Sequence, residues 1–288
     1  MKSLYRRSMA LLRRRGVRRF LSIGQTYVRH KLFRYLALMI ASLPGSTTGI
    51  RWWFRLWLRL VPNTTDADPL KPIYVSPERI EYYHHGEPRG IGRVRGGNWD
   101  RDRKRFTDDI VYRSLERRYR DGVPWEETEL YRAELDDVRR RTGRSPEELR
   151  EYFETIDDLY RRIEREGYKS QRELLAENPR TTAVANNDAI HPVLNEVAVN
   201  IYSDGSLAKK SSGRHRLAIA RLLEIDRIPV VVRTRHAEWQ AIRDEIRSTD
   251  SDAALSEEAR RHLDHPDLRD ITPLSGERKS ARTGSRCG

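Results

Sequence analysis

Between residues 107 and 176 apolar side chains recur at helical spacing, while the sequence around them is strongly polar. In SPEELREYFETIDDLYRRIEREG, Tyr152, Ile156, Leu159, Tyr160 and Ile163 form one stripe. Ser145 is placed to cap this helix, Pro146 to open it, acids fill its first turn and Gly167 stops it. IVYRSLERRYRDG sets Ile110, Leu115 and Tyr119 near helical spacing before Gly122, and TELYRAELDDVRRRTG also closes on glycine. The period then changes. Val197, Val199 and Ile201 alternate with Ala198, Asn200 and Tyr202, which predicts a half-buried strand. Ser203-Asp204-Gly205-Ser206 has turn chemistry, and a short second strand is expected at 207–210. Ser211 or Ser212 is expected to cap a helix over about 214–224, with Leu217, Ala220 and Leu223 on its buried side. IPVVVRT at 228–234 has strand composition, and HAEWQAIRDEIRS reads as a closing helix.

The first 60 residues follow another rule. Leu32, Tyr35, Leu36 and Met39 fall at i, i+3, i+4 and i+7, and RWWFRLWLRL sharpens the pattern. Arg51, Arg55 and Arg59 recur every four residues, with Trp53, Leu56, Trp57 and Leu60 on the opposite face. Charge now changes the picture. The chain carries +13 overall, but residues 1–60 hold 14 Lys and Arg and no acid, so residues 61–288 sum to about −1. A basic domain face that tracks DNA is therefore not supported, and specific DNA binding is not expected. No run of about 18 apolar residues occurs, so a spanning helix is not expected either. Arginine on one face with Trp and Leu on the other suits the headgroup zone of an anionic membrane, with Arg51, Trp53, Arg55, Leu56, Trp57 and Arg59 as the contacts. Docking of the same helix on the protein's own body is the alternative. Cys287 is the only cysteine, which excludes internal disulfides and cysteine metal sites.

Pro62, Pro69, Pro72 and Pro77 mark a linker at 61–78. In IGRVRGGNWDRDRKRF, Gly96-Gly97-Asn98 reads as a turn with Trp99 packed inward; its spacing fits no Walker or dinucleotide fingerprint. His84 and His85 are adjacent and cannot share a helix face, so no metal site is expected. The strongest chemical signal is SSGRHRLAIARLLEIDRIPVVV. Unpaired N–H groups and the dipole at a helix start favour an anion. Arg214, His215 and Arg216 add cations at that end, beside Ser211, Ser212 and Gly213. Gly213 would allow a phosphate to approach the backbone, and arginine would grip phosphate oxygens in pairs. The bland alternative pairs these bases with carboxylates of the preceding helices.

That stretch resembles the phosphate-binding box of the ParB/sulfiredoxin superfamily, in which a Gly-x-x-Arg turn opens a helix and an Ile-Pro-Val strand follows. The likeness covers about 195–248, and GGNWD, VPWEETELY, GYKSQRELL, NEVAVNIYSDG and RHAEWQ are similar to a group of largely haloarchaeal ParB-like proteins. Arg214 stands where sulfiredoxins carry their catalytic cysteine, so sulfinic-acid reduction is excluded. It also replaces the glutamate of the chromosome-partitioning branch, and the 40 residues after 248 are too few for a DNA-reading domain. A third branch holds small-molecule kinases, free-serine kinases among them. The resemblance implies a nucleotide tri- or diphosphate with Mg²⁺, and phosphoryl transfer to a small hydroxylated acceptor such as a sugar or lipid headgroup. Glu196 is the favoured base over Asp188 and Asp204, and His215 a phosphate donor or proton carrier. The alternative is a non-catalytic nucleotide- or DNA-binding regulatory module.

The expected architecture is α+β: a ParB/sulfiredoxin-like small mixed sheet with helices at 177–248, preceded by a mainly helical region at 79–176 and by the amphipathic segment 1–60. A polar tail, 249–288, is expected to be disordered. The expected location is cytoplasmic, peripheral on the membrane.

Overall fold

A computed structural model describes residue 43 and residues 45–88, 90–139, 145–178, 181, 192–249 and 251–272. The stripe from Leu32 to Met39, Gly143, Asp188 and the chain after 272 lie outside the described residues. The regular elements are α1 (Ser46–Leu60), β1 (Ile73–Val75), β2 (Tyr82–Tyr83), β3 (Arg93–Arg95), β4 (Lys104–Arg105), α2 (Ile110–Tyr119), α3 (Glu129–Arg139), α4 (Pro146–Glu166) and α5 (Gln171–Glu177). They continue with β5 (Val197–Ile201), β6 (Leu207–Lys209), α6 (Arg214–Leu222), β7 (Ile228–His236), α7 (Ala237–Ser248) and α8 (Glu257–Arg261). Two compact units result. Met1–Gly49 with Gln171–Asn195 form one, in which α5 packs against a 3-10 turn at Pro192–Asn195. Ile50–Ser170 with Glu196–Gly288 form the other, which carries the sheet and the sites below.

The class is mixed α and β, as expected. The sheet has seven strands in the order β1-β7-β5-β6-β2-β4, with β3 also on β7. β7 is long enough to serve two neighbours along one edge: Ile228–Val230 run antiparallel to β1, and Thr234–His236 parallel to β3. Its other edge pairs in parallel with β5, which turns back antiparallel into β6. Every residue of β5 is buried, against the half-buried strand that its alternation predicts. Covered faces and a parallel neighbour explain why polar Asn200 is buried too.

The segments around this hairpin do more than their sequences announce. Residues 61–78, expected as a linker, contribute β1. The region expected as mainly helical opens with three short strands, β2, β3 and β4, before its helices begin. Those helices follow the sequence signals closely. Ser145 and Glu148 form a capping box at the start of α4, and Gly167 ends it with φ 77°. Tyr119 and Tyr160 stack at 3.7 Å, while Asp157 accepts from the Tyr119 hydroxyl at 2.7 Å and the Trp125 indole at 3.1 Å. Trp125 and Thr128 are thus buried in the core.

The expected tail is ordered to Thr272. Leu255, Ala259 and Leu268 join the core, and Asp267 is buried beneath them. Its carboxylate accepts from Arg235 Nε at 2.9 Å and from the Trp239 indole at 3.0 Å. Fully buried Arg243 bridges Asp66 at 2.8 Å and Asp270 at 2.6 Å, tying residues before the sheet to residues after it. A buried cation needs this many acceptors to offset its lost hydration. His265 Nε2 donates to Gly205 O at 3.1 Å while Nδ1 accepts from Asp267 N, so the ring is neutral, and burial pushes its pKa down to about 4.

α1 reaches the body through Arg51 and Leu58, while Arg55 and Arg59 are exposed. Arg51 and Arg55 both pair with Asp68, and Leu58 packs where a Cβ on Gly92 would lie 2.9 Å from its Cδ1. Trp52, Trp53, Leu56, Trp57 and Leu60 are exposed on the outer side. Arg51 and Arg55 are thus paired with a carboxylate of the protein itself, and Arg55 stays largely exposed. Among the described residues no helix is long and apolar enough to cross a membrane.

Candidate functional site

The turn between β6 and α6 is where the basic box sits, and its local geometry departs from the sequence expectation in two ways. Gly213, not a serine, is the N-cap of α6, with φ 85° and no side-chain cap. Ser212 instead donates its hydroxyl to Glu196 O at 2.7 Å, fastening the turn to the start of β5. The glycine is required for packing: a Cβ there would lie 2.8 Å from Val197 Cα. No L-residue other than glycine takes that left-handed backbone so close to a neighbouring strand without strain. Gly213 thus serves the turn.

The three basic side chains then diverge. Arg214 binds Asp109, with Nε at 2.8 and 2.9 Å from the two carboxylate oxygens and Nη2 at 2.6 Å. Asp109 is also the N-cap of α2, accepting from Val111 N at 2.8 Å. His215 Nε2 lies 3.0 Å from the Tyr152 hydroxyl of α4. Arg216 is buried and faces Glu196 Oε2 at 3.4 Å. Glu196 is itself only 3% exposed, and neither residue lines a cleft beside the box. Glu196, the residue expected as base, is buried and pairs with Arg216. Pairing with a carboxylate of the helical region, the blander expectation, is realised for Arg214, while His215 meets a tyrosine hydroxyl of that region.

A cleft of about 210 Å³ opens beside the turn. Ser211 and Arg214 line it, together with Lys209 and Lys210 at the end of β6 and His84 and His85 after β2. Asp109 is the one carboxylate in its wall, and Arg214 already engages it. Lys209 is buried, and its ammonium donates to Ser211 O at 2.6 Å. Burial pushes its pKa down to about 7, and the neighbouring Arg214 guanidinium adds to the depression. His85 is also held below the usual imidazole value, by burial first and Arg214 second. His84 Nε2 donates to Glu87 O at 2.6 Å and Nδ1 accepts from Tyr202, consistent with a burial-lowered pKa. Burial is thus the main cause of all three depressions, with neighbouring cations adding to it.

Of the residues chosen from sequence, Ser211 and Arg214 come together in this cleft; Ser212, Gly213, His215, Arg216 and Glu196 do not line it. Lys209, Lys210 and His85 were missed. The KK pair just before SSGRHR is the signal the sequence offers. Among the described residues no group of three or more His, Cys, Asp or Glu could hold a metal ion. No protein-family model, curated protein or solved structure matches the chain.

Proposed function

We propose that this protein is a phosphate-binding module of ParB/sulfiredoxin-like type that recognises a nucleotide and works at an anionic membrane surface. The carrying observation is the cleft in which Lys209, Lys210, Arg214 and His85 meet a single, already paired carboxylate. The likeness of SSGRHRLAIARLLEIDRIPVVV to a phosphate box supports the same ligand class. Binding is the part that the geometry favours, so the non-catalytic nucleotide-binding reading takes precedence over phosphoryl transfer to a hydroxylated acceptor. Glu196, the expected base, serves Arg216 instead. Nucleotide triphosphate with Mg²⁺ remains the proposed ligand form, since the metal would arrive on the phosphates rather than on a protein cluster.

The membrane surface enters through α1. Five large apolar side chains face solvent on one side of a helix whose preceding segment carries cations without acids. Trp and Leu of that arrangement suit the headgroup boundary of an anionic bilayer.

The test is a melting-temperature comparison of the full chain with ATP, CTP, GTP and inorganic phosphate, each with Mg²⁺. Ligand at 100 times Kd adds about 2.7 kcal/mol, roughly 5–10 °C for a chain of this size. The shift is expected for at least one nucleotide and is lost in Lys209→Met and Lys210→Ala. An unchanged melting temperature with all four ligands refutes the reading.

A further inference from the structure

A second cleft, of about 310 Å³, lies at the carboxyl ends of three mutually parallel strands. The loop after β3 supplies Gly97 to Arg103, the residue pair after β5 supplies Ser203, and β7 ends there at His236. The first turn of α7 adds Glu238. In sheets of parallel strands the crevice beyond the carboxyl ends is where loops of several strands can converge on one ligand. The GGNWD turn, which the phosphate cleft does not use, forms much of this wall.

Part of the wall is braced. Asp100 is 5% exposed and accepts from both the amide and the hydroxyl of Ser203, at 3.0 and 2.5 Å. These bonds hold its carboxyl ionised against the opposing effect of burial. His236 Nδ1 accepts from Glu238 N, so Nε2 carries the proton and donates to Gly97 O at 2.8 Å. Arg103 pairs with Asp204 at 2.6 Å. Among the described residues the remaining polar groups, the Arg101 guanidinium, the Glu238 carboxylate and the Asn98 amide, are exposed and have no side-chain partner. A rigid floor thus carries one free donor, one free acceptor and one group that is both.

We infer that this cleft is a binding site for a small, neutral, hydroxyl-rich molecule, a polyol or sugar. Opposite charges are balanced in its wall, with Arg101 and Arg103 against Asp100 and Glu238, so no net ligand charge is called for. The walls are polar, which disfavours an aromatic or aliphatic ligand. The space equals roughly ten waters at about 30 Å³ each, enough for a six-carbon polyol. A hydroxyl both donates and accepts, and so satisfies a carboxylate, a guanidinium and an amide set around one space. The site is distinct from the phosphate cleft: Trp99 stands between them, its ring 5.3 Å from His84 on one side and 5.5 Å from His236 on the other. The inference therefore holds whether or not the first cleft takes nucleotide.

Saturation-transfer NMR on the full chain, with myo-inositol, glucose and serine as probes, tests it. Transfer to both polyols is expected, at unchanged strength when ATP is added. Arg101→Ala and Glu238→Ala each weaken polyol binding about ten-fold, the loss expected of one hydrogen bond to a charged group. Both residues are exposed and unpartnered, so the variants should melt with the wild type, which a thermal scan verifies. Absence of transfer to either polyol, an unchanged Kd in either variant, competition by ATP, or stronger transfer to the zwitterion serine would each overturn the inference.

Discussion

Lys209 shows how one residue converts fold into chemistry. It is the last residue of β6, where alternation alone would leave its direction open, and the sheet turns it inward beside Arg214, Arg216 and Lys210, with Asp109 as the nearest compensating charge. With its pKa pushed down to about 7, the ammonium gives up its proton far more readily than an ordinary lysine. An incoming phosphate favours the charged form and raises that pKa. Binding must then take up a proton, more at pH 8 than at pH 6, and affinity must fall as pH rises above 7. Calorimetric titration of nucleotide in buffers of different ionisation enthalpy reads this uptake. Lys209→Arg, whose guanidinium stays charged over this range, should bind without the uptake, and equal proton uptake in that variant would place it elsewhere. Nothing in KKSSGRHR distinguishes Lys209 from Lys210, because the depression comes from burial against residues distant in sequence.

At the scale of elements, α1 and α4 were both readable, for opposite reasons. α4 announces its ends through Ser145, Pro146, Glu148 and Gly167, all acting within one turn of the terminus. α1 announces its two faces through four-residue arginine spacing, but spacing does not say which side meets the body. Asp68 decides it by capturing Arg51 and Arg55, leaving the tryptophans outside. This arrangement predicts that membrane binding rests on the indoles more than on these two arginines. The full chain should float with liposomes containing anionic lipid, and Trp53→Ser with Trp57→Ser should lower the bound fraction several-fold. Retained flotation in that double variant would shift the contact away from α1. A further consequence concerns β1: three residues in a proline-rich stretch pair with β7, a strand too short for any periodicity to reveal.

For the whole molecule, closure depends on residues far apart along the chain. Arg243 reaches Asp66 across 177 positions, and Arg214 reaches Asp109 across 105. The segment after α7 completes the core and brings His265 with it. That imidazole is neutral in the fold, with a pKa near 4 against 6.5 for the exposed group. Between these values the unfolded chain binds more protons, so stability is full above about pH 6.5 and falls as pH drops toward 4. The loss attributable to this group is about 3 kcal/mol. Denaturant melts across that range should show it, and His265→Gln should flatten the slope. An equally steep slope in the variant would assign the acid sensitivity to another group.

Local pattern alone established the capped helices of the middle region, the succession β5, β6, α6, β7 and α7, and an amphipathic basic helix near the start. Each of these is set by side chains within a turn or two of one another. Closure of the chain assigned the rest: which cations face a cleft and which find counter-charges, that the residues before β2 and after α7 belong to the core, and that a second polar crevice forms beyond the ends of β3, β5 and β7. Spacing along the chain records neighbours three or four residues away. It carries no record of a carboxylate that arrives from a hundred residues upstream, and that distant partner decides whether an arginine awaits a ligand or is already paired.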